Sequence, residues 1–112
     1  MPMILAKQTV GAGGVNNNII SGSAFEFARV RQLVSMGVVQ SATGGFSTIT
    51  SGPDIIAEEF EPAILATASP IIIPDHMYFT DYMEPGDRLV IRYRNPTAGA
   101  LDVRALVQTS AI

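Results

Sequence analysis

Two runs near the C-terminal end of the sequence alternate apolar and polar residues with a period of two. Residues 88–94 read RLVIRYR and residues 101–108 read LDVRALVQ. This period places successive side chains on opposite faces of a strand, so each run predicts a strand with one apolar face. The intervening NPTAGA contains a proline that cannot donate to a ladder and a glycine that permits a turn. The pattern predicts a β-hairpin over residues 87–108, and we expect these side chains to face the core: Leu89, Ile91, Tyr93, Leu101, Val103 and Val107.

The middle of the chain carries weaker versions of the same pattern. Residues 24–36 alternate at first and then take a spacing that would also suit a helix, and we interpret them as a strand with a β-bulge near Arg29. Residues 37–50 contain two β-branched runs separated by Gly44 and Gly45, which predicts a second hairpin with an exposed turn.

The first 23 residues have a different composition. A short apolar run, MPMILA, leads into QTVGAGGVNNNIISGS, where glycine, asparagine and serine dominate. A backbone of this composition is entropically costly to order. We predict an extended N-terminal arm over residues 1–23, followed by a β-domain over residues 24–112. The glycines at 11–14 lack the third glycine and the following helix of a dinucleotide fingerprint, and so indicate a flexible or bulged loop.

About seven or eight short strands, separated by turn signals and without a strong helical pattern, predict the fold class. We expect an all-β protein, a single-domain antiparallel β-sandwich or jelly roll. A further strand is indicated at residues 77–82, MYFTDY. The run Ile71 to Ile73, between two prolines, is either a strand buried on both faces or a contact between subunits.

Composition narrows the classes of partner. Hydrophobic residues make up 47% of the 112 residues and charged residues 15%, against about 25% in an average soluble domain. So little charge leaves apolar surface, which favours a homo-oligomer. The net charge is −3 and the cations are not clustered, so direct binding of nucleic acid is disfavoured. No apolar run approaches the roughly 20 residues needed to cross a bilayer, and we expect no membrane partner.

Candidate chemistry is sparse. The chain has no cysteine, and its single histidine, His76, has neither a Gly-x-Ser-x-Gly nucleophile elbow nor nitrogen or sulfur ligands to work with. We therefore predict no catalytic residue, no metal site, no cofactor and no enzyme activity. Glu58, Glu59 and Glu61 lie close together and form either an acidic exposed face or a calcium or magnesium site, and both alternatives remain open here.

The C-terminal half resembles small β-sandwich virion proteins of bacteriophages, in particular capsid decoration (cement) or minor capsid proteins. The resemblance lies in the Pro85-Gly86-Asp87 turn, in LVIRYRNPTAGALDVRALVQ and in the glycine-rich N-terminal segment. It implies a structural subunit of the virion that forms a homo-oligomer, often a trimer, and binds other capsid proteins. It implies no catalytic residues.

Two other functions compete with that reading. A carbohydrate- or ligand-binding β-sandwich module would need Tyr78, Tyr82 and Tyr93 to form an aromatic platform, and the absence of tryptophan counts against it. An enzyme would have to use the glutamates above with Asp75 or His76, and no spacing among these residues selects a reaction.

Overall fold

The computed structural model describes residues 3–65 and 79–111. These residues form β-strands and no helix, which confirms the all-β class, and so none of them lies in a helix that could cross a membrane. The strands are β1 (Met3–Val10), β2 (Val15–Asn16), β3 (Gln32–Gln40), β4 (Phe46–Ser51), β5 (Asp54–Phe60), β6 (Ala63–Ile64), β7 (Phe79–Met83), β8 (Leu89–Arg94) and β9 (Leu101–Ala111).

The strands form two mostly antiparallel sheets. The first sheet has the order β1-β9-β3, and both β6 and β7 pair with the far edge of β3. The second sheet has the order β2-β8-β4-β5. The contact between β3 and β6 is the parallel one, and all other pairings between the described strands are antiparallel.

The pairings are nested along the chain. β4 pairs with β5, β3 with β7, β2 with β8 and β1 with β9. Successive pairs in this series alternate between the second and the first sheet. The two halves of the chain therefore pair antiparallel with each other, and the turn between them lies at residues 51–54. The strand pairs are divided between the two sheets.

The core takes its residues from both sheets. The predicted inward positions of β8 and β9 are buried, as expected from their alternation, and they belong to one cluster that also contains residues of β3 and β4. The main contributors are Val34, Met36 and Val38 from β3, Ile49 from β4, Leu89, Ile91 and Tyr93 from β8, and Val103, Ala105 and Val107 from β9.

The two predicted hairpins are wrong. β8 and β9 exist as strands but lie in different sheets, and so do β3 and β4. Residues 95–100 and 41–45 therefore cross from one sheet to the other instead of turning back within a sheet. An apolar–polar alternation fixes which face of a strand is buried, but it does not select the strand that pairs with it.

The structure does not confirm the extended N-terminal arm predicted for residues 1–23. Residues 3–10 pair along their whole length with β9, and Ile4 and Ala6 pack against the core. Ile19 and Ile20 are themselves buried in the core cluster. The described part of this segment therefore belongs to the sheets, because residues 3–10 alternate apolar side chains and pair with β9.

The strand predicted over residues 24–36 begins only at Gln32. Residues before it form a loop in which Phe27 makes an isolated bridge with Arg88. The expectations for Ile71 to Ile73 and for His76 fall outside the described residues.

Candidate functional site

The free edge of the first sheet is formed by β1. This strand pairs with β9 on one side, and none of the described strands pairs with its other side. Ile4 and Ala6 point toward the core, whereas Met3 and Leu5, on the opposite face, are 51% and 50% exposed. An edge strand carries a row of unpaired N–H and C=O groups, so this edge offers both backbone hydrogen bonds and apolar side chains to a partner.

The edge of the second sheet, β5, is built differently. Its register against β4 shifts twice, and Glu59 has a φ of 49°, a left-handed conformation rare for a residue with a side chain. The Glu59 N–H donates to Thr48 Oγ1 at 3.1 Å. Bulges and outward charges prevent edge-to-edge pairing of strands. We therefore call β5 the closed edge, meaning an edge protected against the addition of another strand.

The acidic residues predicted as a face or cation site do not act as a group. Glu59 pairs with Arg94 at an Nε–Oε1 distance of 3.1 Å, and Glu58 and Glu61 are exposed. Within the described ranges, no group of three or more histidine, aspartate or glutamate side chains is placed to hold a metal ion. Glu58, Glu59 and Glu61 are all exposed, so they form an acidic stretch of the surface.

The outer face of β8, opposite its buried residues, carries arginines. The guanidinium of Arg94 lies 5.0 Å from the centre of the Phe46 ring while it pairs with Glu59. Arg88, at the start of the same face, is also paired within the chain. Arg92, between them, is half-buried. Much of the positive charge of this face is therefore neutralised locally, and the face is less cationic than its sequence suggests.

A buried carboxylate anchors the N-terminal loop to β8. Glu26 accepts hydrogen bonds from the Gly22 N–H at 2.9 Å and from Arg88 Nε at 2.8 Å. These two interactions hold the pKa of Glu26 below its usual range. Asn18 completes the contact, since its Nδ2 donates to the Leu89 carbonyl and its Oδ1 accepts from the Ile91 N–H.

The three tyrosines proposed for an aromatic platform do not share a surface. Tyr93 is fully buried, and its hydroxyl donates to Gln40 Oε1 at 2.8 Å. Burial, with a smaller contribution from the charge of Glu61, raises the pKa of Tyr93 to about 12. Tyr82 is exposed on β7, and Tyr78 lies outside the described residues. Tyr93 therefore cannot stack on a ligand at the surface.

The crossing between β8 and β9 is held by one amide. Asn95 Nδ2 donates to the carbonyls of Val10, Gly11 and Gly99 at 2.9, 3.2 and 2.8 Å. Its Oδ1 accepts from the N–H and hydroxyl of Thr97. The side chain thus ties the end of β1 to the loop that leads into β9.

A shallow cleft lies at the other end of the molecule. Its lining residues are Ala24, Phe25, Phe27, Arg29, Gln32 and Thr109. Phe27 and Val30 in this loop and Tyr82 on β7 are each more than half exposed. Arg31 pairs with Glu84 while its guanidinium lies 6.0 Å from the Tyr82 ring. Exposed aromatic and arginine side chains of this kind are enriched in protein–protein interfaces.

Sequence reasoning missed the buried polar residues that hold these loops. Asn18, Gln40 and Asn95 were not singled out, although each makes hydrogen bonds to backbone groups from distant segments. A signal was present for Gln40, which ends the apolar run of β3 at a position that alternation places inside the core.

No protein-family model, curated protein or solved structure matches this chain.

Proposed function

We propose that this protein is a structural virion protein of a bacteriophage, a homo-oligomeric β-sandwich subunit that decorates, cements or forms a minor part of the capsid. The observation that carries the proposal is the order of the strands. If the two-residue β6 is set aside, the sheets have the orders β1-β9-β3-β7 and β2-β8-β4-β5. Eight strands arranged as two nested Greek keys form a jelly roll, an architecture used by viral capsid domains.

The exposed apolar surface supports an assembly rather than a free subunit. Large apolar side chains close to half exposed or more occur on the strands at the sheet edges and in the loop before β3. They are Met3, Leu5, Val15, Phe27, Val30, Ile55, Ile64 and Tyr82. Oligomerisation would remove part of this area from water, at roughly 25 cal/mol per Å².

The phage assignment rests on the sequence resemblance together with the strand order. Jelly rolls also serve in lectins and cupins, so the architecture alone does not select a virion protein. The resemblance of the Pro85-Gly86-Asp87 turn and of the β8 and β9 sequences to phage decoration proteins favours the capsid role.

Two measurements test the proposal in order. Light scattering coupled to size-exclusion chromatography at micromolar concentration gives the mass in solution, and we expect a closed homo-oligomer. Mass spectrometry of virus particles purified from the source then asks whether peptides of this chain are present in amounts comparable to those of the shell protein. A monomer at micromolar concentration would contradict the oligomer. Particles without the chain would contradict the capsid role.

A further inference from the structure

We propose that β1 pairs antiparallel with the β1 of a second copy of this chain, with Leu5 opposite Leu5 on a two-fold axis. The first sheets of the two copies would then form one continuous sheet. This inference rests on the homo-oligomer of the proposed function and names the surface by which it forms.

The backbone of β1 is suited to such pairing. Its register against β9 runs without a shift from Met3 to Val10, so the strand is regular along its whole length. The other long edge strand, β5, is interrupted by register shifts and by the left-handed Glu59. Of the edges in the described part of the chain, β1 is therefore the long one without a register shift or a left-handed residue, and its charge is limited to Lys7.

The apolar side chains select a second copy as the occupant. On the outer face of the first sheet, Gly37, Leu106 and Leu5 lie side by side in register on β3, β9 and β1. Leu106 is 4% exposed, whereas Leu5, at the open end of this row, is 50% exposed. A two-fold axis at Leu5 continues the row into the Leu5 and Leu106 of the second copy, and both leucines at the junction become covered.

Charge selects the register. Lys7 is the only charged residue of β1. With the axis at Leu5, Lys7 lies opposite Met3 of the second copy, and the two lysines are far apart. An axis at Ala6 makes the two lysines diagonal neighbours, roughly 7–8 Å apart, and an axis at Lys7 places them directly opposite each other. Like charges in these positions destabilise a strand pair, so the Leu5 register is favoured.

The same register also suits the inner face. Ile4 comes to lie opposite Ala6 of the second copy, and both residues already pack against the core of their own subunit. The two cores would therefore meet through a large and a small side chain, which is the combination that fills space between neighbouring strands.

A charge placed on the axis tests the proposal. Leu5→Lys would bring two ammonium groups together across the pair, and the half-exposed position allows the subunit itself to fold. Ile55→Lys is the matched control, because Ile55 is a 62% exposed apolar residue on the closed edge β5. We expect Leu5→Lys to halve the mass measured by light scattering, or to weaken association at least tenfold, and Ile55→Lys to leave both unchanged.

Cross-linking tests the register independently, because the chain has no cysteine. Directly opposite residues have Cα atoms about 4.5–5.5 Å apart, within the range a disulfide spans. Leu5→Cys should therefore form a covalent dimer under mild oxidation, and Lys7→Cys should form it far more slowly.

The outcomes separate the two proposals. A wild-type oligomer, a trimer for example, whose mass is unchanged by Leu5→Lys would overturn the β1 interface while leaving the proposed function in place. A wild-type monomer would overturn the β1 interface and the homo-oligomer of the proposed function, whereas the capsid role is decided by whether purified particles contain the chain. If Leu5→Lys does not fold, as judged by circular dichroism, the cysteine pair decides: equal rates of cross-linking at positions 5 and 7 reject the register.

Discussion

Tyr93 and Gln40 lie in different sheets and are joined by a buried hydrogen bond, in which the tyrosine hydroxyl donates to Gln40 Oε1 at 2.8 Å. The same oxygen accepts from the Gly45 N–H at 3.1 Å, and Gln40 Nε2 donates to the Pro62 carbonyl at 2.9 Å. One amide at the end of β3 therefore satisfies groups from β8, from the crossing into β4 and from the segment before β6. A β-carbon at Gly45 would lie 2.6 Å from Gln40 Oε1, so these groups are in close contact.

We expect Gln40→Ala to be much more damaging than Tyr93→Phe. Tyr93→Phe removes one hydrogen bond while Gln40 Oε1 keeps its bond from Gly45, which costs about 1 kcal/mol of unfolding free energy. Gln40→Ala leaves three buried polar groups without that partner, at roughly 1–3 kcal/mol each, so a loss of at least about 3 kcal/mol is expected. Urea unfolding of both variants measures the difference. Equal losses would mean that the amide does not link the two sheets.

Substitutions of Asn95 test whether its amide donates to the carbonyls of Val10 and Gly99. Asn95→Asp keeps the shape and the oxygen that accepts from Thr97, but it turns a carboxylate oxygen toward the carbonyls that Nδ2 now contacts. Asn95→Ala removes the group altogether. Because a buried charge facing carbonyl oxygens is worse than a lost hydrogen bond, we expect a lower Tm for the Asp variant than for the Ala variant at neutral pH. An Asp variant as stable as the wild type would show that the donor side of the amide faces elsewhere.

The lowered pKa of Glu26 predicts that the folded protein loses part of its stability in acid. The Gly22 N–H and the Arg88 guanidinium lower its pKa in the folded state, so its contribution to stability is present above the unfolded glutamate pKa of about 4.3. That contribution is lost as the pH falls through this value and then through the lowered folded pKa. The fall in Tm between neutral and acid pH, measured by thermal unfolding, should therefore be smaller for Glu26→Gln than for the wild type. Glu58→Gln, which removes one carboxylate at an exposed position of β5, is the matched control.

The left-handed Glu59 can be tested with two small residues. Glu59→Gly and Glu59→Ala both remove the half-exposed ion pair with Arg94, which is worth about 1 kcal/mol or less. Only glycine adopts a φ of 49° without strain. We expect the Gly variant to be more stable than the Ala variant by about 1 kcal/mol in chemical denaturation. The reverse order would indicate that the bulge changes its conformation when the ion pair is absent.

The strands could be predicted from the sequence because alternation is a local property. In β8 the residues Leu89, Ile91 and Tyr93 were expected to be buried and are fully buried. Their partner strands could not be predicted in the same way. The segments after β3 and β8 are rich in turn residues, as hairpin loops are, yet each carries the chain across to the other sheet. What holds these crossings is a side-chain amide, that of Gln40 or Asn95, bonded to backbone far away in sequence.

The surface could be predicted only in part. Low charge indicated exposed apolar residues, but composition does not say where they lie, and the N-terminal run was interpreted as an arm. The exposed Met3 and Leu5 become informative only once residues 3–10 are known to form a sheet edge. Likewise, the alternation of β8 does not reveal that Arg94 pairs with Glu59 or that Arg88, just before the strand, pairs with Glu26, because both glutamates come from other elements.

The nested pairing of the strands also sets an order of events during synthesis. β4 and β5 are neighbours in the chain and can pair as soon as both have left the ribosome, whereas β1 has no partner until residues 101–111 are made. Pairs that close long loops form late, because more chain must be ordered before they are made. Residues 3–10 therefore wait unpaired while the rest of the domain is made, so an apolar strand is exposed for the longest part of synthesis.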